Sequence, residues 1–398
     1  MREIPLGSIS GITIRADWSF LIIFALITFG LATGVFPQWH PDWSAGIAWV
    51  TAIAAAVLFF ASVLTHELSH ALVGRAHRVQ IRRITLFMFG GVAEMESEPP
   101  SWRAELGMAI VGPLTSLLLG VLFLGLMTLG GAPVHIDSTD PRQILHTFGA
   151  LPTMLLWLGL VNLTLGVFNL VPGFPLDGGR VLRAIMWGVT GDLRRATHWA
   201  SGAGQGFAWI LMTAGVAMIL GVPVPVFGGG VVNGIWLAFI GWFLNNAALV
   251  SYRQLLVRDS LRGVHVRELM QAHLLKVDPQ MSVSTLLHEH LMSSGQRAFP
   301  VQGNGRLLGM VSLRDLQRCP RDAMESTSMA DIMTPLDQLA TLSPEQDAAE
   351  ALDLIAHHDL SQIPVVQGGA VLGVVRREDL LKWLSTHAGV NAGGMTQA

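Results

Sequence analysis

"ASVLTHELSHALVGR", residues 61–75, closes a long apolar run and yet carries two histidines and a glutamate. On a helix His66 and His70 lie one turn apart and project from the same face. That spacing lets both imidazoles reach one zinc ion, while Glu67 beside them can act as a general base. Ionisable groups inside a spanning helix are costly unless paired or coordinated, so they mark functional sites. The stretch therefore implies a metal centre within a membrane domain, and the rest of the chain has to supply the missing ligand.

The composition agrees with the membrane half of that reading. Of the 398 residues, 51% are hydrophobic and 13% charged, with a mean hydropathy of +0.49, far less charge than soluble proteins carry. Apolar runs dominate up to about residue 250 and ordinary mixed sequence follows, so a membrane domain (1–255) precedes a soluble one. A net charge of -3 with no basic block gives nucleic acid nothing to bind. The single Cys319 excludes an intrachain disulfide framework and cysteine-rich metal sites.

Six stretches are long or apolar enough to cross a hydrocarbon layer of roughly 30 Å, near 17–36, 46–74, 104–130, 150–171, 205–222 and 230–250. The first follows Arg2 and Arg15 as a signal peptide would, but no A-x-A site comes after it, which favours an uncleaved anchor. With six spans, Arg2, Arg15, Arg75, Arg78, Arg82, Arg83, Arg103, Arg180, Arg183, Arg194, Arg195, Arg253 and Arg258 share one side, and Arg142 alone takes the other. The excess of arginine marks the cytoplasmic side, so both the N-terminus and the C-terminal domain are expected there, with His135 outside.

Residues 80–98, "QIRRITLFMFGGVAEMESE", break the helical pattern. Two strand-like runs flank Gly90-Gly91, which is expected to be a two-residue hairpin turn. Such a hairpin is tolerated at membrane depth where it lines a polar cavity; a plain cytoplasmic loop is the other reading. The third ligand is expected from "NLVPGFPLDGGR", residues 169–180. The second and fourth spans both run toward the cytoplasm, which brings Asp177 to the depth of His66 and His70. Pro172 and Pro175 break the helix, and Gly178-Gly179 are expected to free the backbone so that the segment bends inward.

From about residue 265 the chain repeats itself. "RAFPVQGNGRLLGMVSLRDL" (297–316) aligns with "SQIPVVQGGAVLGVVRREDL" (361–380), and Pro300/Pro364, Gly309/Gly373, Val311/Val375 and Asp315/Asp379 are each 64 residues apart. Each half also opens alike, with "VRELM" (266–270) and "MADIM" (329–333). The halves, 264–322 and 323–386, resemble tandem CBS domains, two copies of a small α/β module. The tail 387–398 reads as disordered. The CBS resemblance implies an adenine nucleotide as ligand. Ser312 and Asp315 match the S/T-x-x-D pattern of the ribose-phosphate contact; Asp379 keeps the acid, while Arg376 replaces the hydroxyl. A ligand-free module through which the chain forms a homodimer is the competing reading.

The pairing of H-E-L-S-H with N-L-V-P-G-F-P-L-D-G-G on a later span resembles the site-2 protease family of intramembrane zinc metalloproteases. With the hairpin and "VGPLTS" (111–116), the likeness covers about residues 10–250. It implies His66, His70 and Asp177 as Zn2+ ligands, Glu67 as catalytic base and Asn169 as an amide at the site. Where the family's GPL segment runs on to an Asn, this chain has Ser116. The family's usual substrate is a membrane-tethered regulator cut within its spanning helix, so a transmembrane protein and the surrounding lipid are the expected partners. The expected fold is thus a polytopic α-helical membrane domain followed by an α/β tandem CBS module. A CBS-gated metal transporter or channel is the rival reading, but a transporter has no need of Glu67 as a base.

Overall fold

The computed structural model describes residues 4–88, 90–95, 99–129, 146–225, 227–291, 296–357 and 360–393. They form two units, Met1–Tyr252 and Arg253–Ala398. Arg142 and His135, on which the reading of the outer side rests, lie outside the described residues.

The first unit opens with two strands that hydropathy does not announce, β1 (Ile4–Ile9) and β2 (Ile12–Ala16). Ser10 and Gly11 join them with φ of 51° and 74°, the doubly left-handed turn that matches strand twist. Next come α1 (Trp18–Trp39, including a π-helical turn at Leu31–Val35) and α2 (Ala45–Ala76). Strands β3 (Ile81–Phe87) and β4 (Gly90–Met95) follow α2. The remaining helices are α3 (Trp102–Leu129), α4 (Ala150–Asn169), α5 (Asp177–Thr190), α6 (Leu193–Ile219) and α7 (Val231–Leu261). Among the described residues six helical stretches, namely α1 to α4, α6 and the Val231–Val250 part of α7, are long and apolar enough to cross a membrane. They coincide with the stretches expected from hydropathy. The fifth begins earlier, at Leu193.

The strands form one sheet in the order β1-β2-β3-β4. β2 and β3 run parallel, Ile14 opposite Ile84, because two spanning helices carry the chain from one to the other. β3 and β4 are antiparallel, with Phe87 opposite Gly90 and Leu86 opposite Gly91. The hairpin is therefore real, but Gly90-Gly91 are not its turn: both are paired strand residues. Arg75, on the last turn of α2, locks helix to sheet. Its guanidinium donates to the carbonyls of Ser10 (2.5 Å), Gly11 (2.9 Å) and Ile81 (2.7 Å). Beneath the sheet, Ile12, Ile81, Ile84, Ala71 and Met108 form a buried cluster.

The second unit bears out the repeat. β5 (Ala298–Gly303) pairs with β6 (Arg306–Ser312), and β8 (Gln362–Gln367) with β9 (Ala370–Arg376), the short β7 (Thr334–Pro335) adding to β6. Ala298 faces Ser312 and Gln362 faces Arg376, the same register in both halves. The opening segments are exchanged between the halves. Val266 and Leu269 pack into the core built around Ile363, Val375 and Leu380, while Met329 packs into that of Phe299, Val301 and Val311. Each half completes the other's core, so the pair is a single folding unit. α8 (Leu313–Arg318) and α9 (Ala348–His357) flank the strands. The last helix, α10, spans Arg377–Gly393 and so enters the stretch expected to be a disordered tail.

Candidate metal centre

His66 and His70 are buried on one face of α2, 4% and 6% exposed. Both project toward α3, where Met108 and Ser116 fix their rings. His70 Nδ1 lies 2.5 Å from the Met108 carbonyl, which only accepts, so Nδ1 carries the proton and Nε2 presents a lone pair. His66 Nδ1 lies 2.9 Å from Ser116 Oγ. Ser116 is fully buried and holds the imidazole through its hydroxyl at the position where the resembling family carries an amide.

Asp177 is the first residue of α5. The preceding segment turns back on itself: Leu176 N donates to the Gly173 carbonyl (3.1 Å) and Phe174 N to the Ala200 carbonyl (3.2 Å) on α6. Gly178 and Gly179 are required here for space rather than for backbone freedom. A β-carbon at Gly178 would collide with the Leu170 and Val171 carbonyls, and one at Gly179 with the backbone of Gly173 and Phe174. The tight stacking directs the Asp177 carboxylate at the histidines.

Asp177 Oδ2 lies 3.1 Å from both His66 Nε2 and His70 Nε2, and the two nitrogens are 3.2 Å apart. These spacings suit a shared metal ion. Zinc bonded at about 2.05 Å to tetrahedral donors separates them by about 3.3 Å. A bare nitrogen facing a second nitrogen and a carboxylate oxygen at such distances is repulsive without a cation between them. The donor set therefore fits zinc. Among the described residues this is the one group of three or more His, Cys, Asp or Glu whose ligand atoms converge in this way.

α3 adds a residue that lies in the GPL segment but to which the sequence alone gives no role. Gly112 faces the centre so closely that a β-carbon there would collide with His70 Nε2 and stand 2.7 Å from His66 Nε2. Glu67, next to the histidines on α2, lies beneath the edge strand β4. A β-carbon at Gly91 would collide with its Cγ and come within 2.9 Å of its Cδ. Asn169, the last residue of α4, is half-buried and makes no hydrogen bond to His66, His70 or Asp177. A different asparagine of α4 is buried against α2. Asn162, 0% exposed, donates to the Leu158 carbonyl (2.9 Å) and faces Ser62 Oγ (3.4 Å), one turn before His66.

The CBS residues belong to the second unit. Ser312 caps α8, and Asp315 Oδ2 accepts from Ser312 N (2.9 Å) and Ser312 Oγ (2.6 Å). In the second half Arg376 takes the place of the hydroxyl. It donates to both carboxylate oxygens of Asp379, at 3.0 and 2.9 Å. These bonds hold the guanidinium above its ordinary pKa range. A cavity of about 200 Å³ beside this pair is lined by Arg297, Ser361, Gln362, Arg376, Arg377 and Glu378.

Comparison with known proteins agrees with this architecture. The model of peptidase family M50 matches residues 54–134 and 128–213, and the CBS domain model matches 266–322 and 329–386. The chain is 34% identical to the "Putative zinc metalloprotease Rip3" of Mycobacterium tuberculosis over 391 residues, 97% of this chain and 94% of that one. It is 28% identical to the "Zinc metalloprotease MJ0392" of Methanocaldococcus jannaschii, covering 96% of each. Among solved structures, the "Site-2 Protease from Methanocaldococcus jannaschii" aligns over 62% of this chain and 94% of its own, with 28% identity and a TM-score of 0.40. Identity above 30% along nearly the whole length settles the relationship: the chain belongs to peptidase family M50, the site-2 protease type of membrane zinc metalloendopeptidase, and carries a C-terminal CBS pair.

Proposed function

We propose that this protease cuts a membrane-spanning protein near the cytoplasmic end of its helix, with His66, His70 and Asp177 holding zinc and Glu67 acting as general base. Zinc bound there supplies Lewis-acid charge that makes a water acidic enough to attack near neutral pH. Glu67 takes the proton of the attacking water and delivers it to the leaving amine. The convergence of three donor atoms within 3.2 Å, with Glu67 beside them under an edge strand, is the observation that carries this reading. Asn169 is assigned to substrate rather than metal, as an amide donor toward the scissile carbonyl.

β4 gives the substrate a place to bind. Among the described residues it is paired on one side only, by β3. A spanning helix hides its peptide bonds in internal hydrogen bonds, and adding the unwound segment as a strand beside β4 exposes them next to Glu67. The arginine asymmetry supports a cytoplasmic N-terminus and CBS pair. The CBS pair is assigned an adenine nucleotide around Asp315, which tunes the protease by binding its conformations unequally.

The decisive experiment compares three variants of the purified protein. Glu67→Gln is expected to keep zinc and lose cleavage, whereas His66→Ala and Asp177→Ala lose both. Full zinc occupancy and normal cleavage in Asp177→Ala would overturn the assignment. Retained cleavage in Glu67→Gln would remove Glu67 as the general base, whereas no cleavage by the zinc-loaded wild-type protein would favour the transporter reading of the site.

A further inference from the structure

α5 carries two arginines one turn apart, and they are held very differently. Arg183 is bound to Glu105, a fully buried carboxylate on α3: its Nε donates to Oε1 at 2.6 Å, and Nη2 contacts the same oxygen. Its guanidinium also lies 5.4 Å from the centroid of the Phe174 ring. Arg180 feels the charges of Glu105, Asp177 and Glu67 but makes no ion pair with any of them. Among the described residues its one hydrogen-bond partner is the Met95 thioether at 3.7 Å. A thioether is a weak acceptor for a group with five N–H donors. Glu105 Oε2 is meanwhile buried without a partner. Arg180 thus leaves an available carboxylate oxygen unpaired and extends instead to the edge strand.

Its position there is specific. Alternate residues of a strand share one face, and along β4 Gly91, Ala93 and Met95 are half-buried while Val92 and Glu94 are exposed. The face that covers Glu67 at Gly91 therefore meets Arg180 at Met95, about 13 Å further along a strand. Arg180 is also one turn from Asp177 on α5. The guanidinium is a cation with open donors, set under the strand that would hold the substrate and a few residues from the bond to be cut.

We propose that Arg180 is a substrate-binding residue, whose guanidinium donates to backbone carbonyl oxygens of the unwound segment and holds it in line with Glu67. The proposal rests on the reading that substrate pairs with β4. The fork of guanidinium donors suits planar carbonyl and carboxylate acceptors, and a lysine ammonium reproduces it only in part. A charge-assisted hydrogen bond lost from a bound substrate costs about tenfold or more in affinity.

The test uses the full-length protein in detergent with fluorescein-labelled β-casein, an unfolded probe that presents carbonyls without a helix to open. Arg180→Ala and Arg180→Gln are expected to raise KM about tenfold or more at unchanged zinc content. Arg180→Lys should recover part of the loss. A wild-type KM in both Arg180→Ala and Arg180→Gln overturns the proposal, and so does loss of zinc in both, which would make Arg180 a support of the metal centre. The edge-strand reading is judged separately with Val92→Pro and Ala93→Pro. Successive strand amides point to opposite sides, so one of these removes a donor on the open edge. If neither impairs cleavage while Arg180→Gln does, the substrate lies elsewhere but still meets Arg180. If one impairs cleavage and Arg180→Gln does not, the edge reading stands and the arginine inference falls.

Discussion

Gly112 and His66 sit on different helices, yet a β-carbon built on Gly112 would come within 2.7 Å of His66 Nε2. The space that a single methyl would fill is space the donors share. Gly112→Ala is therefore expected to displace an imidazole and abolish zinc binding without disturbing α3, since alanine is a better helix former than glycine. Metal analysis of the purified variant, with its far-UV circular dichroism, checks this. A fully zinc-loaded Gly112→Ala would show the centre to be larger than the structure has it.

Ser116 orients His66 through its hydroxyl at 2.9 Å. Partners of this kind are worth about 10- to 100-fold in metal affinity. Ser116→Ala should weaken zinc binding by that order, read as a lower chelator concentration at half-loss of zinc. Ser116→Asn, which restores the amide of the related family, should bind zinc more tightly than Ser116→Ala.

Gly91→Val separates the base from the metal. The new side chain meets Glu67 where a β-carbon alone would already stand 2.9 Å from Cδ, so the carboxylate must move while the histidines stay. Cleavage is expected to fall about 100-fold or more, the scale of a lost general base, at full zinc content. Loss of zinc together with activity would mean that β4 supports the centre itself.

In the CBS pair, Arg376 binds both carboxylate oxygens of Asp379, at 2.9 and 3.0 Å, so on the proposed nucleotide reading the second site is expected to be blocked by its own side chain. Calorimetry on the full-length protein with ATP, ADP and AMP should give one binding equivalent, lost in Asp315→Ala. Arg376→Ser, which recreates the S/T-x-x-D pattern, should add a second. No heat with any nucleotide would leave the module a purely structural role.

Orientation is checked by reporter fusion. A reporter joined after Leu261 should behave as cytoplasmic, and one inserted near Ser138 as exported. The reverse result would turn the whole domain over and move the metal centre to the other face.

The legible parts of the site are those carried by short sequence patterns. His66, Glu67 and His70 are fixed relative to one another by helix geometry alone, and the depth argument brings Asp177 to them. Gly112 lies in the GPL segment, but its role cannot be found in that way, because it depends on how closely α3 crosses α2, which no local pattern encodes. Gly90 and Gly91 mislead for the opposite reason. A glycine pair between strand-like runs signals a turn, whereas here Gly91 leaves room for Glu67 from within a strand. β1 and β2 are hidden beside the stronger hydropathy of the first span, although the alternation of Ile12 and Ile14 is strand-like. Arg376 is legible as a departure from the CBS pattern, but only its contact with Asp379 shows what the departure does.

The sheet that ties these elements together also acts as a ruler. β4 is held by β3, β3 by β2, and the β1–β2 turn is bolted by Arg75 to the helix that bears His66 and His70. A segment that pairs with β4 is thereby set at a constant number of residues from Glu67. On the proposed edge pairing, the peptide bond to be cut would be chosen by counting from the point where the substrate helix comes undone, with little regard to the side chains flanking it. Inserting one residue between Phe87 and Gly90 would shift that count. A protease built this way would accept unrelated sequences that share an unstable helix end, and its products would differ in sequence while agreeing in length.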